Sequence, residues 1–293
     1  MGEGSGDASH GPVFVVGAVA YDPRVVTIWE GFKAHFLDRG LPIDYVLFSN
    51  YERQVETLLG GGIDVAWNSP LAWVRARRLA EAAESSVSAL VMRDTDRDLA
   101  SIIVVREDAP IREVRDLRGC RVGVGAPDSP QATLLPLSYL RDAGLEDGSL
   151  EIVYHDLLGG KHGDHGAAER AEVTAVLDGR VDAACILSGN HILFASEGIV
   201  PPGSLRVVAE TFRFDHCNFT TGPSTDHDAA ARFRDLLLAM SYENPIVKEL
   251  FDLEGLRAWV PGRTSGYKHL EAAVDESGFY DAWGGITARD YRF

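Results

Sequence analysis

Apolar residues in this chain fall in short unbroken runs that alternate with longer stretches of helical spacing. Val13 to Val19 is a run of strand length, and Val25, Ile28, Trp29, Phe32 and Phe36 then recur on one helix face, so the pattern predicts a strand followed by a helix over Arg24 to Arg39. Ile43 to Phe48 predicts a second strand, Tyr51 to Leu59 a helix stopped by Gly60-Gly61-Gly62, Ile63 to Trp67 a third strand and Pro70 to Ala83 a third helix. Val87 to Met92 and Ser101 to Arg106 add two further strands.

The same alternation restarts after a turn-rich stretch, Glu107 to Gly119. Strands are expected at Arg121 to Gly125, Leu150 to His155 and Asp182 to Leu187, with helices at Pro130 to Ala143, Ala167 to Asp178 and, briefly, Asn190 to Ser196. Leu205 to Thr211 and an extended Phe212 to Thr221 follow, and the remainder is expected to be helical over Asp226 to Tyr242 and Pro245 to Leu253, returning to complete the first unit. Repeated βαβ steps imply parallel sheets covered by helices on both faces, with ligands off the carboxyl ends of the strands.

Composition narrows the partners. The 293 residues carry 28 Lys+Arg against 44 Asp+Glu, a net charge of −16, which argues against a nucleic acid or an anionic membrane, since either calls for a basic face. No apolar run is long enough for membrane insertion. The Gly/Ser/Asp-rich start, residues 1–11, reads as a disordered tail without a signal peptide, so a cytoplasmic location is expected, with a periplasmic or extracellular one if the chain is a mature form. Cys120, Cys185 and Cys217 are odd in number and widely spaced, as reduced thiols are.

Four phrases then carry a resemblance: Gly17-Ala18-Val19-Ala20-Tyr21-Asp22-Pro23, Gly61-Gly62-Ile63-Asp64-Val65-Ala66-Trp67-Asn68-Ser69-Pro70, Asp116-Leu117-Arg118-Gly119-Cys120-Arg121-Val122-Gly123-Val124-Gly125, and Asp178-Gly179-Arg180-Val181-Asp182-Ala183-Ala184. In this order, from about Val13 to about Leu253, the chain resembles the phosphate/phosphite/phosphonate-type solute-binding proteins of ABC transporters. The resemblance implies the type II periplasmic-binding-protein fold: two α/β lobes joined by two crossover strands, with a small-molecule ligand clamped between them and an ABC permease as partner. The expected division is lobe 1 at 12–105 and 218–293 and lobe 2 at 106–217, with crossovers near Val104 to Val114 and Glu210 to Thr221.

The resemblance also implies that the loop Ala126-Pro127-Asp128-Ser129-Pro130-Gln131-Ala132-Thr133 holds the anion, through Ser129, Gln131, Thr133 and free helix amides. The physical case stands beside it, because a Ser cap followed by Pro leaves N–H groups and a positive dipole end unpaired. Pro130 departs from the family, standing where a hydroxyl residue is usual and removing one donor. Tyr21, Asn68 and Ser69 lie at strand ends in the first lobe, and Arg93 is a candidate clamp for a carboxylate or phosphate. An ordinary helix cap, a Tyr-Asp-Pro turn and a loop of surface ion pairs are the blander accounts of Ser129, Tyr21 and Arg93.

Histidines supply the second theme. Lys161-His162-Gly163-Asp164-His165-Gly166, Asn190-His191 and Asp215-His216-Cys217 all fall where the fold borders its cleft. His162, His165, Glu169, His191 and His216 form a candidate metal set for iron or zinc, with Asp164, Asp215 and Cys217 in support. Equally, Lys161, His162, His165, Asn190, His191 and His216 suit hydrogen bonds to an anionic ligand, and the histidines also admit a purely structural role. Adjacent strand positions point His216 and Cys217 to opposite faces. Two functions are therefore expected: a binding protein that closes on an anionic, phosphonate- or carboxylate-like molecule, or a cytoplasmic metal-dependent enzyme of small-molecule biosynthesis on the same scaffold, with His162, His165, His216 and Cys217 as candidate catalytic residues and a biosynthetic enzyme as its partner.

Overall fold

The computed structural model describes residues 13–146, 148–155, 159–163, 166–289 and 291–293. The expected tail at 1–11 lies outside the described residues, as do Asp164 and His165. The first sheet begins with β1 (Phe14–Val19), α1 (Arg24–Leu37), β2 (Ile43–Phe48), α2 (Tyr51–Leu59), β3 (Val65–Asn68), α3 (Pro70–Ala82) and β4 (Ser88–Arg93). β5 (Ser101–Arg106), β6 (Arg121–Val124), α4 (Leu135–Asp142), β7 (Glu151–Tyr154), α5 (Ala167–Leu177), β8 (Ala183–Leu187), α6 (Ser188–Ser196) and β9 (Leu205–Glu210) build the second. The chain then returns through β10 (Asn218–Thr221), α7 (His227–Leu238), α8 (Pro245–Glu254), β11 (Trp259–Pro261) and α9 (Lys268–Ser277).

Strand order is β11-β4-β10-β3-β1-β2 in the first sheet and β7-β6-β8-β5-β9 in the second. The βαβ steps give the parallel pairs β1/β2, β1/β3, β6/β7 and β6/β8. Strands that arrive by a change of lobe run the other way: β10 is antiparallel to β3 and β4, and β5 to β8 and β9. The sheets are thus mixed rather than parallel throughout. β3 is buried along its whole length because β1 and β10 flank it, which is why Val65-Ala66-Trp67 is apolar without alternation.

The lobe boundary differs from the expected one. β5 pairs within the second sheet, so the first crossover is 94–100, before the expected Val104 to Val114, and 101–105 belong with lobe 2. The second crossover is 211–217, irregular apart from a single bridge at Phe214, with only 218–221 of the expected extended segment forming a strand. Apolar length alone does not say which sheet a strand joins; partner strands decide that.

Lobe 1 buries an aromatic core on one face, with Trp29, Phe32, Phe36, Trp67, Phe219, Phe233 and Trp259 in a single cluster. Lobe 2 has a cluster on each face of its sheet, around Ile103 and Val124 and around Val104 and Ile186. A further cluster belongs to neither lobe alone. Leu71, Trp73 and Val74 of α3 meet Leu134 and Leu135 of the second lobe through Phe214, Tyr267, Leu270, Val274, Phe279, Tyr280 and Tyr291. The C-terminal stretch assigned to lobe 1 therefore divides: β11 edges the first sheet, while α9 packs between α3 and α4 and ties the lobes together.

Candidate functional site

Two polar regions occupy the space between the lobes. At the junction, β3 ends and α3 starts at Ser69, whose hydroxyl accepts the Ala72 N–H at 3.1 Å as an N-cap. The same hydroxyl meets His162 Nδ1 at 2.5 Å, and His162 Nε2 meets Glu52 Oε1 at 3.1 Å. His162 comes from lobe 2, stacks on Tyr51 with ring centroids 4.7 Å apart and is 1% exposed. Its φ of +52° places a non-glycine residue in the left-handed region, a cost accepted where surrounding contacts over-determine the geometry.

A tyrosine closes this network. Tyr291 donates to Glu52 Oε1 at 2.7 Å and lies 3.0 Å from Asp128 Oδ2, and its oxygen accepts the Gly160 N–H at 2.9 Å. Asp128 Oδ2 also accepts from Gly160 N at 2.7 Å and His162 N at 3.3 Å. Burial would raise the Glu52 carboxyl, but the His162 ring and the Tyr291 hydroxyl outweigh it and bring the group down to about 2. Burial beside two carboxylates pushes the Tyr291 phenol well up. Glycine at 163 lets the loop seat against the other capped turn, since a Cβ there would collide with the Ser129 hydroxyl.

Beyond the junction lies a cavity of about 280 Å³ bordered by both crossovers, through Asp96, Leu99 and His216. Its lobe 2 wall is formed where helices begin: Gln131 in the helical turn Pro130–Leu134 that leads into α4, Gly166 and Glu169 at the start of α5, and Leu187 and Asn190 at the start of α6. Neither α5 nor α6 has a side-chain cap on its first turn. Aligned peptide dipoles and uncapped N–H groups make such ends attractive to negative charge.

Of the residues expected at the site, Arg93, Gln131, Glu169, Asn190 and His216 line this cavity. Arg93 is not a free clamp: it pairs with Asp96 at 2.5 and 2.9 Å, donates to the Glu254 carbonyl at 2.8 Å and lies over the Trp67 ring. Burial would raise Asp96, yet Arg93 and then His216 bring it down to about 2. Asn190 Nδ2 donates to Glu169 Oε2 at 2.8 Å. Gln131 Nε2 donates to the Gly163 carbonyl at 2.7 Å, and its Oε1 is buried without a partner.

The other expected residues sit elsewhere. Ser69 and His162 belong to the junction; Ser129 caps the 130–134 turn by accepting from Ala132 N at 3.2 Å. Thr133 is buried, and so is Asn68, whose Oδ1 accepts from Gln54 at 2.9 Å. Lys161 reaches across to the Ala20 carbonyl at 2.6 Å, beside Tyr21, which packs on the lobe 1 core. His191 is half-buried on α6 and does not line the cavity.

Among the described residues, His162, Glu169, His191 and His216 of the expected metal set do not come together, and His165 lies outside the described residues. Among the described residues the one group of three ligand types within 4.8 Å is Asp96, His216 and Cys217, which shares His216 and the supporting Cys217 with the expectation. His216 Nδ1 lies 3.0 Å from Cys217 Sγ, so the two do meet; they precede β10, where strand alternation does not apply. Arg93 already holds both Asp96 oxygens, and a second cation beside a guanidinium is electrostatically opposed, so this group does not fit a metal. Sequence reasoning missed Glu52, Tyr280 and Tyr291 altogether. Asp128 was not expected at the site either, although it stands in a quoted loop next to the Ser129 cap.

Two α/β lobes, two crossovers and a polar cavity between them define a ligand-clamping receptor of the type II periplasmic-binding-protein class. A model of the family described as "ABC transporter, phosphonate, periplasmic substrate-binding protein" matches residues 18–267, and the chain belongs to that family. Among solved structures, it is similar to PhnD1 from Prochlorococcus marinus (MIT 9301) in complex with methylphosphonate, at 16% identity and a TM-score of 0.69 over 90% of this chain and 97% of that one. XAC2383 from Xanthomonas citri, bound to chloride ion, is similar at 18% identity and a TM-score of 0.68 over 90% and 98%. The periplasmic aliphatic sulphonate binding protein SsuA from Escherichia coli is similar at 20% identity and a TM-score of 0.55 over 90% and 83%. At these identities the structural likeness concerns the fold. No helix of the described residues is long and apolar enough to cross a membrane.

Proposed function

We propose that the cavity bordered by the crossovers is where this solute-binding protein holds a small oxyanion, and that closure of the lobes around it is what an ABC permease reads. The observation that carries this is the meeting of helix starts on one wall: the 130–134 turn, α5 and α6 all open at the cavity, and α5 and α6 do so without side-chain caps. Gln131, Asn190 and His216 are the proposed ligand contacts. His216 Nδ1 is taken up by Cys217 and Asp96, which leaves Nε2 for the ligand. His162, Ser69 and Lys161 act at one remove, holding lobe 2 against lobe 1.

Family membership argues for work outside the cytoplasmic membrane, so the cytoplasmic expectation and the metal-dependent alternative both lack support. The proposed partners are the small molecule and the permease; a biosynthetic enzyme has no observation in its favour. Calorimetric titration with methylphosphonate, phosphite, phosphate and methanesulfonate tests the reading. Saturable binding of at least one of these, weakened about tenfold or more by His216→Ala or Gln131→Ala, is expected, since each removes a buried hydrogen bond to the ligand. Absence of binding by all four, or binding that neither substitution changes, overturns it.

A further inference from the structure

The two crossovers are laced into one ribbon. Phe214 and Leu99 exchange backbone hydrogen bonds at 2.8 and 2.9 Å, and His216 N donates to the Asp96 carbonyl at 2.8 Å. Arg263 spans Asp98 and Asp215 at 2.8 and 2.6 Å. Rotation of one lobe against the other about this ribbon separates groups in proportion to their distance from it. In the first sheet the crossovers join at β4 and β10, and β1 lies two strands beyond β10, about 10 Å at the usual strand spacing. In the second they join at β5 and β9, and β7 is the opposite edge, three strands or about 14 Å from β5.

Residues 159–163 follow β7 and reach lobe 1 at points equally far from the hinge. The Gly160 carbonyl accepts the Tyr51 N–H at 3.0 Å at the start of α2, and Lys161 Nζ donates to the Ala20 carbonyl at 2.6 Å just past β1. The His162 ring bridges Ser69 and Glu52. Backbone approach is close enough that a Cβ at Gly160 would lie 2.6 Å from Asn50 Cβ. On its own lobe the loop is fixed by Asp128 Oδ2, which accepts from Gly160 N and His162 N. Gly160, His162 and Gly163 have left-handed φ values of +82°, +52° and +64°. Glycine takes that region freely and histidine does not, so the contacts with lobe 1 hold His162 there.

We propose that residues 159–163 form a clasp on lobe closure. The clasp supplies part of the closing energy from the chain itself, so the ligand-free protein already samples the closed arrangement and the ligand completes it. His162 contributes most, because both ring nitrogens meet buried groups of lobe 1 and opening about the hinge leaves Glu52 and the ring without each other. Lys161 contributes less, since its contact with Ala20 is open to water. Energy stored in this way is the same whichever molecule the cavity takes, so the clasp does not rest on the anion reading.

The test is pulsed electron spin resonance on the full chain without ligand. Nitroxide labels go on Val26→Cys in α1 and Ile192→Cys in α6, exposed positions in opposite lobes, in a Cys120→Ser background that leaves the buried Cys185 and Cys217 in place. With His162 intact, a population at the label spacing of the closed structure is expected. His162→Ala should lower the closed-to-open ratio about tenfold or more, the open population being longer by more than about 2 Å. Glu52→Gln keeps the shape and the acceptor for Tyr291 but gives up the charge facing His162, and should lower the ratio about threefold. That variant carries the test if His162→Ala does not fold. Absence of a closed population without ligand overturns the clasp, as does an unchanged ratio in Glu52→Gln or in folded His162→Ala. Failure of anion binding in the calorimetric titration would leave the clasp standing, and failure here would leave the anion site standing.

Discussion

Glu52 and Glu169 are the same residue type at nearly the same burial, 0% and 2% exposed, yet their carboxyl groups move in opposite directions. Burial disfavours the charge on both; at the junction the His162 ring and the Tyr291 hydroxyl reverse that and carry Glu52 down to about 2, whereas in the cavity Asn190 and the Leu187 amide only soften it and Glu169 stays raised. The junction supplies its own counter-groups from three separate parts of the chain. The cavity supplies helix ends and acceptors and leaves the balance to something that enters. A buried carboxylate matched within the fold is a fastening, and one that its neighbours leave raised marks a place where a ligand completes the chemistry.

That contrast can be broken at the junction first. His162→Ala leaves the buried Glu52 with tyrosine hydroxyls but without its histidine partner and removes the stacking on Tyr51, so the unfolding free energy from denaturant titration should fall by about 3–5 kcal/mol. A loss below about 1 kcal/mol would show that the junction does not fasten the lobes. Acid should act through the same group. Glu52 has a folded value of about 2 against an ordinary 4.5, so its contribution is complete above pH 4.5 and disappears as pH falls through about 2. The amount at stake is on the order of 3 kcal/mol, and Glu52→Gln should flatten that part of a stability profile measured from pH 6 to pH 2.

Smaller changes sharpen the comparison. Tyr291→Phe deletes the hydroxyl shared by Glu52, Asp128 and Gly160 and should cost about 1–3 kcal/mol; a double-mutant cycle with His162→Ala should return a coupling of at least about 0.5 kcal/mol, because both touch Glu52. Glu169→Gln should run the other way. A carboxyl whose folded value is raised loses stability as pH climbs from its unfolded value through the folded one, so removing its charge should leave the ligand-free protein unchanged or stabilise it by up to about 1 kcal/mol at pH 8. Destabilisation by more than 1 kcal/mol would mean that Glu169 serves the fold.

Much of the scaffold was legible. The strands at Phe14–Val19 and Ile43–Phe48 and the helices at Pro70–Ala82 and Ala167–Leu177 fall within a residue or two of where spacing and punctuation put them. Asn50 and Ser69, polar residues just before helical runs, are N-caps that hold Arg53 N and Ala72 N. The short β11 and the helix α9 went unread because their apolar residues serve contacts made by distant segments. The site was less legible. Arg93 reads as a clamp in sequence, but Glu254, 161 positions on, claims one of its nitrogens. His162 reads as a ligand contact, and its ring nitrogens go to Ser69 and Glu52 instead.

By itself the sequence determined what is local or periodic: which segments are strands and helices, that lobes of α/β type recur, that helix starts face a cleft, and that the surface is strongly acidic. Those properties depend on backbone sterics, side-chain period and capping, which act over a few residues. Tertiary structure decided which sheet β5 joins, that α9 and Tyr291 bind both lobes, and which buried acid is matched. Such outcomes turn on partners 100 or more positions apart, such as Ser101 with Thr211, His162 with Glu52 or Tyr291 with Asp128. The energy of a buried charge is set by those few ångströms of surroundings, and no spacing along the chain encodes them.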